Sequence, residues 1–199
     1  MVVVGRRLFG RYFPMTSAGE DLVPAGPVVV AANHFSNLDP VITGCVVDRP
    51  IRYLAVDELY GRSRLFDGLI FWLGTIPMSR TRIPLGAMRL AIAELESGGT
   101  VGLYPEGVRV WRWGEQTPKR GAAWLSRRVG VPLVPVAIAG SDDAMGRGNG
   151  GIDRRPIHAE VCRPIFPADF DTHPDPLQAM TDLWRDRVDE ALQRWYGDL

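Results

Sequence analysis

The sequence predicts an α/β fold: one domain built on a mixed, mostly parallel central sheet flanked by helices. Two observations carry that expectation. Five apolar runs of strand length alternate with helical patterns that start at proline and stop at glycine. The 199 residues, 46% hydrophobic and 23% charged, supply one core and not comfortably two. No internal repeat, low-complexity tract or linker divides the chain, so residues 1–199 read as a single unit.

In chain order, residues 1–22 begin with Val4, Leu8, Phe9 and Tyr12 on one apolar stripe, with Arg6, Arg7 and Arg11 nearby. A short helix of this kind suits a lipid headgroup layer, and it equally suits packing on the core. Residues 27–32, PVVVAA, form a buried strand, and 52–56 a second. The longest apolar run free of charge, 68–78, contains LIFWLG and falls far short of the roughly 20 residues a bilayer span needs. It reads as a buried helix, with cover for an acyl chain or contact with a membrane as the alternatives. Residues 84–97 are a helix with Pro84 in the first turn and Gly98 at the end. A strand at 100–104 follows, then a helix at 117–129 with Thr117 as cap, Pro118 in first position and Gly130 beyond. Strands at 131–139, interrupted by Pro132 and Pro135, and at 157–162 complete the sheet. The last helix, 175–196, opens with Asp175 as cap and Gln178 three residues on, a capping-box arrangement. Its packing face is Leu177, Met180, Leu183, Trp184, Val188, Leu192 and Trp195.

Composition narrows the function. Basic and acidic residues balance at 23 each, which excludes the basic excess of a dedicated nucleic-acid binder. Lys119 is the sole lysine among those basic residues, the rest being arginines, whose planar fork suits phosphate and carboxylate. Cys45 and Cys162 sit in apolar stretches, too few for a disulfide scaffold or a four-ligand zinc site. Buried reduced thiols fit a cytoplasmic location.

Chemistry gathers at two strand ends, where ligands sit in sheets of this kind. After PVVVAA comes Asn33-His34-Phe35-Ser36-Asn37-Leu38-Asp39. A histidine with an aspartate five residues on can form a base and the carboxylate that fixes its tautomer and stabilises the imidazolium. The purely structural reading has His34 capping a strand and Asp39 capping a helix that starts at Pro40. Both can hold at once. After the strand at 100–104 comes Tyr104-Pro105-Glu106-Gly107-Val108-Arg109, in which glycine permits close backbone approach and Arg109 offers a fork for phosphate. Glu106 would repel phosphate and is read as orienting an arginine or a backbone group. Upstream, Gly74-Thr75-Ile76-Pro77-Met78-Ser79-Arg80 ends in another arginine; downstream lies Val131-Pro132-Leu133-Val134-Pro135-Val136.

Taken in this order, the four blocks resemble those of the lysophosphatidic-acid acyltransferase family, the glycerolipid acyltransferases with the HxxxxD motif. NHFSNLD matches the first block, GTIPMSR the second, YPEGVRV the third (usually FPEGTRS) and VPLVPVAI the fourth; Lys119-Arg120-Gly121 resembles the stretch that follows the third. The resemblance spans residues 27–166 and implies the glycerolipid acyltransferase fold. It also implies acyl transfer from a thioester, on coenzyme A or acyl carrier protein, to the hydroxyl of a lysophospholipid such as 1-acylglycerol-3-phosphate. His34 and Asp39 would be catalytic. Arg80, Glu106, Gly107 and Arg109, with Lys119, would form the acceptor-phosphate site. The thioester enters as co-substrate, and no metal or resident cofactor is implied.

Three departures stand out. Val108 and Val110 replace a threonine and a serine of the third block, which reads as two hydroxyls lost from the phosphate side. Trp111-Arg112-Trp113 follows at once. Only 32 residues precede Asn33, so a full two-helix anchor is not expected, and the location read is cytoplasmic with peripheral contact at the inner face of the membrane. Rival readings keep the chemistry with another lipid or specialised-metabolite acceptor, or make the chain a non-catalytic acyl- or lipid-binding protein. The intact His34 and Asp39 favour the enzyme. Residues 146–151 satisfy GxGxxG but lead into a strand, not a helix, so they read as a loop and not a dinucleotide site. His158 and His173 read as structural.

Overall fold

The computed structural model describes residues 10–56, 75–78, 85–145 and 151–197. Among these, seven strands form one sheet: β1 (Met15–Ala18), β2 (Val28–Ala32), β3 (Arg52–Val56), β4 (Ile76–Met78), β5 (Thr100–Leu103), β6 (Leu133–Ala139) and β7 (Ile157–Val161). Their order across the sheet is β1-β7-β6-β2-β5-β3-β4. Only the β6–β7 pair is antiparallel, so β1 and β7 run against the other five. The helices are α1 (Asp39–Val47), α2 (Leu85–Glu96), α3 (Gly121–Val129), α4 (Ser141–Met145) and α5 (Pro176–Gly197). The fold is therefore the predicted mixed, mostly parallel α/β sheet.

Strand alternation divides the core into two layers. Val29 and Ala31 of β2, with Leu133 and Ala137 of β6, face Ala91 and Leu95 of α2, Leu125 of α3, and Met180, Trp184 and Val188 of α5. Val28, Val30 and Ala32, with Val134, Val136 and Ile138, face Ile42 and Val46 of α1 and Ala144 of α4. β2 and β6 are buried along their whole length, as central parallel strands covered on both faces must be. That burial is why they read as unbroken apolar runs.

All five predicted strands are present, with ends shifted by at most two residues. β1 and β4 were not predicted. β1 is the half-polar MTSA, alternately half-buried and exposed, and it exists through its parallel pairing with β7. β4 is three residues long and contains Pro77, which weakens a strand reading.

Two helix-start expectations are corrected and a third holds in part. The helix expected from Thr117 begins at Gly121, because the Lys119 N–H donates to the Pro105 carbonyl at 2.8 Å and draws the preceding residues onto the third block. Asp39 does not cap α1; its carboxylate turns back onto the preceding turn. At α5, Asp175 Oδ1 accepts the Gln178 N–H at 3.1 Å, but the Gln178 side chain reaches Asp182 and the Asp175 N–H donates to His173 Nδ1. The capping box is half made. His158 stacks on Trp195 at 4.7 Å, with Nδ1 2.8 Å from the Thr16 hydroxyl, so it ties β7 to β1 and α5.

The stripe at residues 1–9, the LIFWLG run, Arg80 and residues 146–150 lie outside the described residues. Of the proposed N-terminal helix, 10–12 are helical, with Tyr12 exposed and Phe13 buried. No described helix is long and apolar enough to cross a membrane.

Candidate active site

The site grows from the carboxyl end of β2. Asn33 is fully buried and finishes the ladder with its side chain: Nδ2 donates to the Ile138 carbonyl at 2.8 Å, and Oδ1 accepts the Ile138 N–H at 2.7 Å. The next residue is His34, the first to emerge from the sheet. The turn that follows carries the chain into α1 and folds Asp39 back beneath it. Asp39 Oδ2 accepts the Phe35 and Ser36 N–H groups at 2.8 and 2.7 Å and lies 2.8 Å from His34 Nδ1. Asp39 is fully buried, whereas the His34 side chain is 18% exposed. Because Asp39 has only acceptors to offer, Nδ1 carries the proton and Nε2 is the ring nitrogen left to take one.

The third block holds the backbone of His34 from both sides. The His34 N–H donates to Glu106 Oε2 at 2.6 Å, and the His34 carbonyl accepts the Val110 N–H at 2.9 Å. Glu106 is 3% exposed. Burial pushes its carboxyl up to about 8, opposed by the His34 N–H and reinforced by the charges of Asp39 and Glu115. Between these contacts the chain turns at Gly107, whose N–H donates to the Tyr104 carbonyl at 2.9 Å. Gly107 has φ +73°, and a Cβ there would lie 2.7 Å from Lys119 Nζ. Glycine is thus needed for the backbone conformation, and the flexible Lys119 ammonium rests against it.

The family model for Acyltransferase matches residues 15–139, the segment that runs from β1 through β6 and contains all these groups. The chain belongs to the acyltransferase family.

A probable 1-acyl-sn-glycerol-3-phosphate acyltransferase of Mycoplasma genitalium is 26% identical over 146 residues, 70% of this chain and 54% of the relative. The chloroplastic 1-acyl-sn-glycerol-3-phosphate acyltransferase BAT2 of Brassica napus is 25% identical over 174 residues, 83% of this chain and 46% of the relative. The chain therefore spans about half the length of these curated relatives. In fold it is similar to the 1-acyl-sn-glycerophosphate (LPA) acyltransferase PlsC from Thermotoga maritima. The TM-score is 0.78 at 23% identity, covering 98% of this chain and 79% of that one.

Within this family framework the predicted site residues fall as follows. His34, Asp39, Glu106, Gly107 and Lys119 come together around one strand end, although they are spread over more than 80 positions of sequence. Arg109 sits in the same loop, half-buried, one residue before the Val110 N–H that holds His34. Arg80 is outside the described residues. Val110 is buried in the core layer and the partly buried Val108 packs against that layer. Trp111 is 57% exposed, whereas Trp113 Nε1 donates to Asp189 Oδ1 of α5 at 2.8 Å and its ring meets Trp184 edge-on. Trp184 Nε1 in turn donates to the Ala31 carbonyl of β2 at 2.9 Å.

Sequence reasoning missed Tyr104, which stacks on His34, and Tyr53 behind it. The available signal was an aromatic residue immediately before Pro105, and it gained meaning only once β5 lay beside β2.

Proposed function

We propose that the protein transfers a fatty acyl group from an acyl-CoA or acyl carrier protein thioester to the free hydroxyl of 1-acylglycerol-3-phosphate or a closely similar lysophospholipid. The observation that carries this reading is the His34–Asp39 pair: a buried carboxylate on Nδ1 and a partly exposed ring at a strand end. His34 Nε2 takes the acceptor's hydroxyl proton as the oxygen attacks the thioester carbonyl carbon. The tetrahedral oxyanion collapses, the carbon–sulfur bond breaks, and the departing sulfur takes the proton from the imidazolium. Asp39 acts through Nδ1, fixing the tautomer and stabilising the imidazolium without becoming protonated itself. Arg109 and Lys119, with Arg80 of the second block, supply the cations for the acceptor phosphate. Membrane contact is peripheral, at the cytoplasmic face where the lysophospholipid is presented.

Two measurements test the reading. Against a panel of thioester donors and lysophospholipids, followed by mass spectrometry, His34→Ala should lower turnover by about 10²–10⁴ with unchanged thermal unfolding. Asp39→Asn should lower it through a misdirected imidazole. Near wild-type turnover by His34→Ala would end the mechanism.

The second concerns the acceptor. Arg109→Lys keeps the charge but loses the fork, so the acceptor KM should rise roughly 10- to 150-fold while the donor KM stays within about twofold. If wild-type protein used a dephosphorylated acceptor equally well, and Arg109→Lys changed neither, the acceptor would be a neutral alcohol.

A further inference from the structure

Tyr104 covers one face of His34, with ring centroids 4.0 Å apart and planes 18° from parallel. Behind it Tyr53 lies almost parallel at 5.9 Å. The Tyr53 hydroxyl donates to the Pro40 carbonyl at 2.9 Å, in the first turn of α1. Gly102, opposite Tyr53 in the β3–β5 register, makes room for that ring; a Cβ there would lie 2.5 Å from it. The aromatic stack is thus fixed at its far end to the helix whose first residue, Asp39, meets Nδ1 at the edge of the imidazole. One contact sets the direction in which Nε2 points, and the other sets the plane of the ring.

We propose that Tyr104 is a positioning residue for His34: its ring face fixes the imidazole plane and stabilises the imidazolium formed as the base takes the acceptor's proton. The inference rests on the reading of His34 as the base. An aromatic face attracts a cation held over it, an effect of roughly 2- to 30-fold in rate between exposed and desolvated settings. Tyr104 neither gives nor takes a proton. Burial, reinforced by Tyr53 and Asp39, holds its hydroxyl well above the ordinary tyrosine range, so the ring stays a neutral phenol.

The test pairs kinetics with NMR. Tyr104→Leu should lower kcat about 2- to 30-fold with both KM values unchanged, and Tyr104→Phe, which keeps the face, should match wild type. The chain has three histidines, so the His34 ring protons can be assigned by their loss in His34→Ala. They should lie upfield in wild type and Tyr104→Phe and move downfield in Tyr104→Leu, as ring-current shielding by Tyr104 disappears. An unchanged kcat in Tyr104→Leu, or His34 ring protons at unshielded positions in wild type, overturns the proposal while leaving His34 as the base. Retained turnover in His34→Ala sinks the base itself and, with it, this role for Tyr104. Should Tyr104→Leu fail to fold, Tyr104→Met takes its place, and the wild-type spectrum remains decisive.

Discussion

Glu106 places a carboxyl group where ionisation is costly. Its ordinary value of 4.5 rises to about 8, through burial first and then the neighbouring charges of Asp39 and Glu115. A group whose value is higher in the folded than in the unfolded state adds stability that is complete below the unfolded value and is lost as pH rises through the folded one. Folding stability should therefore decline between pH 4.5 and about 8 on account of this residue. Glu106→Gln offers the same oxygen to the His34 N–H and cannot ionise. Thermal unfolding should show the variant gaining on wild type from pH 5 to pH 9, by a few kcal/mol at the upper end; a constant difference would remove Glu106 as the source. At this scale the sequence was most legible where a role is local. His34 and Asp39 are five residues apart, and a single turn brings them together. Tyr104 was illegible because its contact with His34 depends on two strands 72 residues apart in their pairing register, Val28 with Thr100.

Helix α5 illustrates what periodicity does and does not reveal. Its apolar stripe identified Met180, Trp184, Val188 and Leu192, and all four are buried. The stripe could not show that Trp184 also has a polar task, donating to the Ala31 carbonyl three residues before His34. Through Trp113 and Asp189 the same helix holds the segment that follows the third block. Trp184→Phe keeps an aromatic ring but removes the donor, at a cost of one hydrogen bond, about 0.5–1.5 kcal/mol. For a chain of this size that is a fall in melting temperature of roughly 1–6 °C, readable by calorimetry. No loss of stability would mean that the indole N–H contributes nothing beyond packing. Element boundaries were less legible than element existence. Thr117 and Pro118 looked like a helix start, but the long-range bond from Lys119 to Pro105 outweighed that local signal.

For the molecule as a whole, alternating strands and helices announced an α/β sheet, while the order of its strands stayed hidden. Strand order is decided by which apolar faces meet, and local patterning carries almost none of that information. β1 is the extreme case: its register, Met15 with Ile157, joins the two ends of the fold. These long separations have a consequence for how the protein is made. During synthesis β2 waits about 70 residues for its first neighbour and about 100 for its second. At about 5–20 residues per second the first wait alone lasts roughly 4–14 s, with an apolar strand unpaired and pairings of a slow-forming, non-local kind still to come. The groups that hold His34 and its strand arrive in sequence, from Glu106 and Val110 to Ile138 and finally Trp184. His34 and Asp39 are thus made well before the groups that hold them, and their surroundings are complete only when α5 docks.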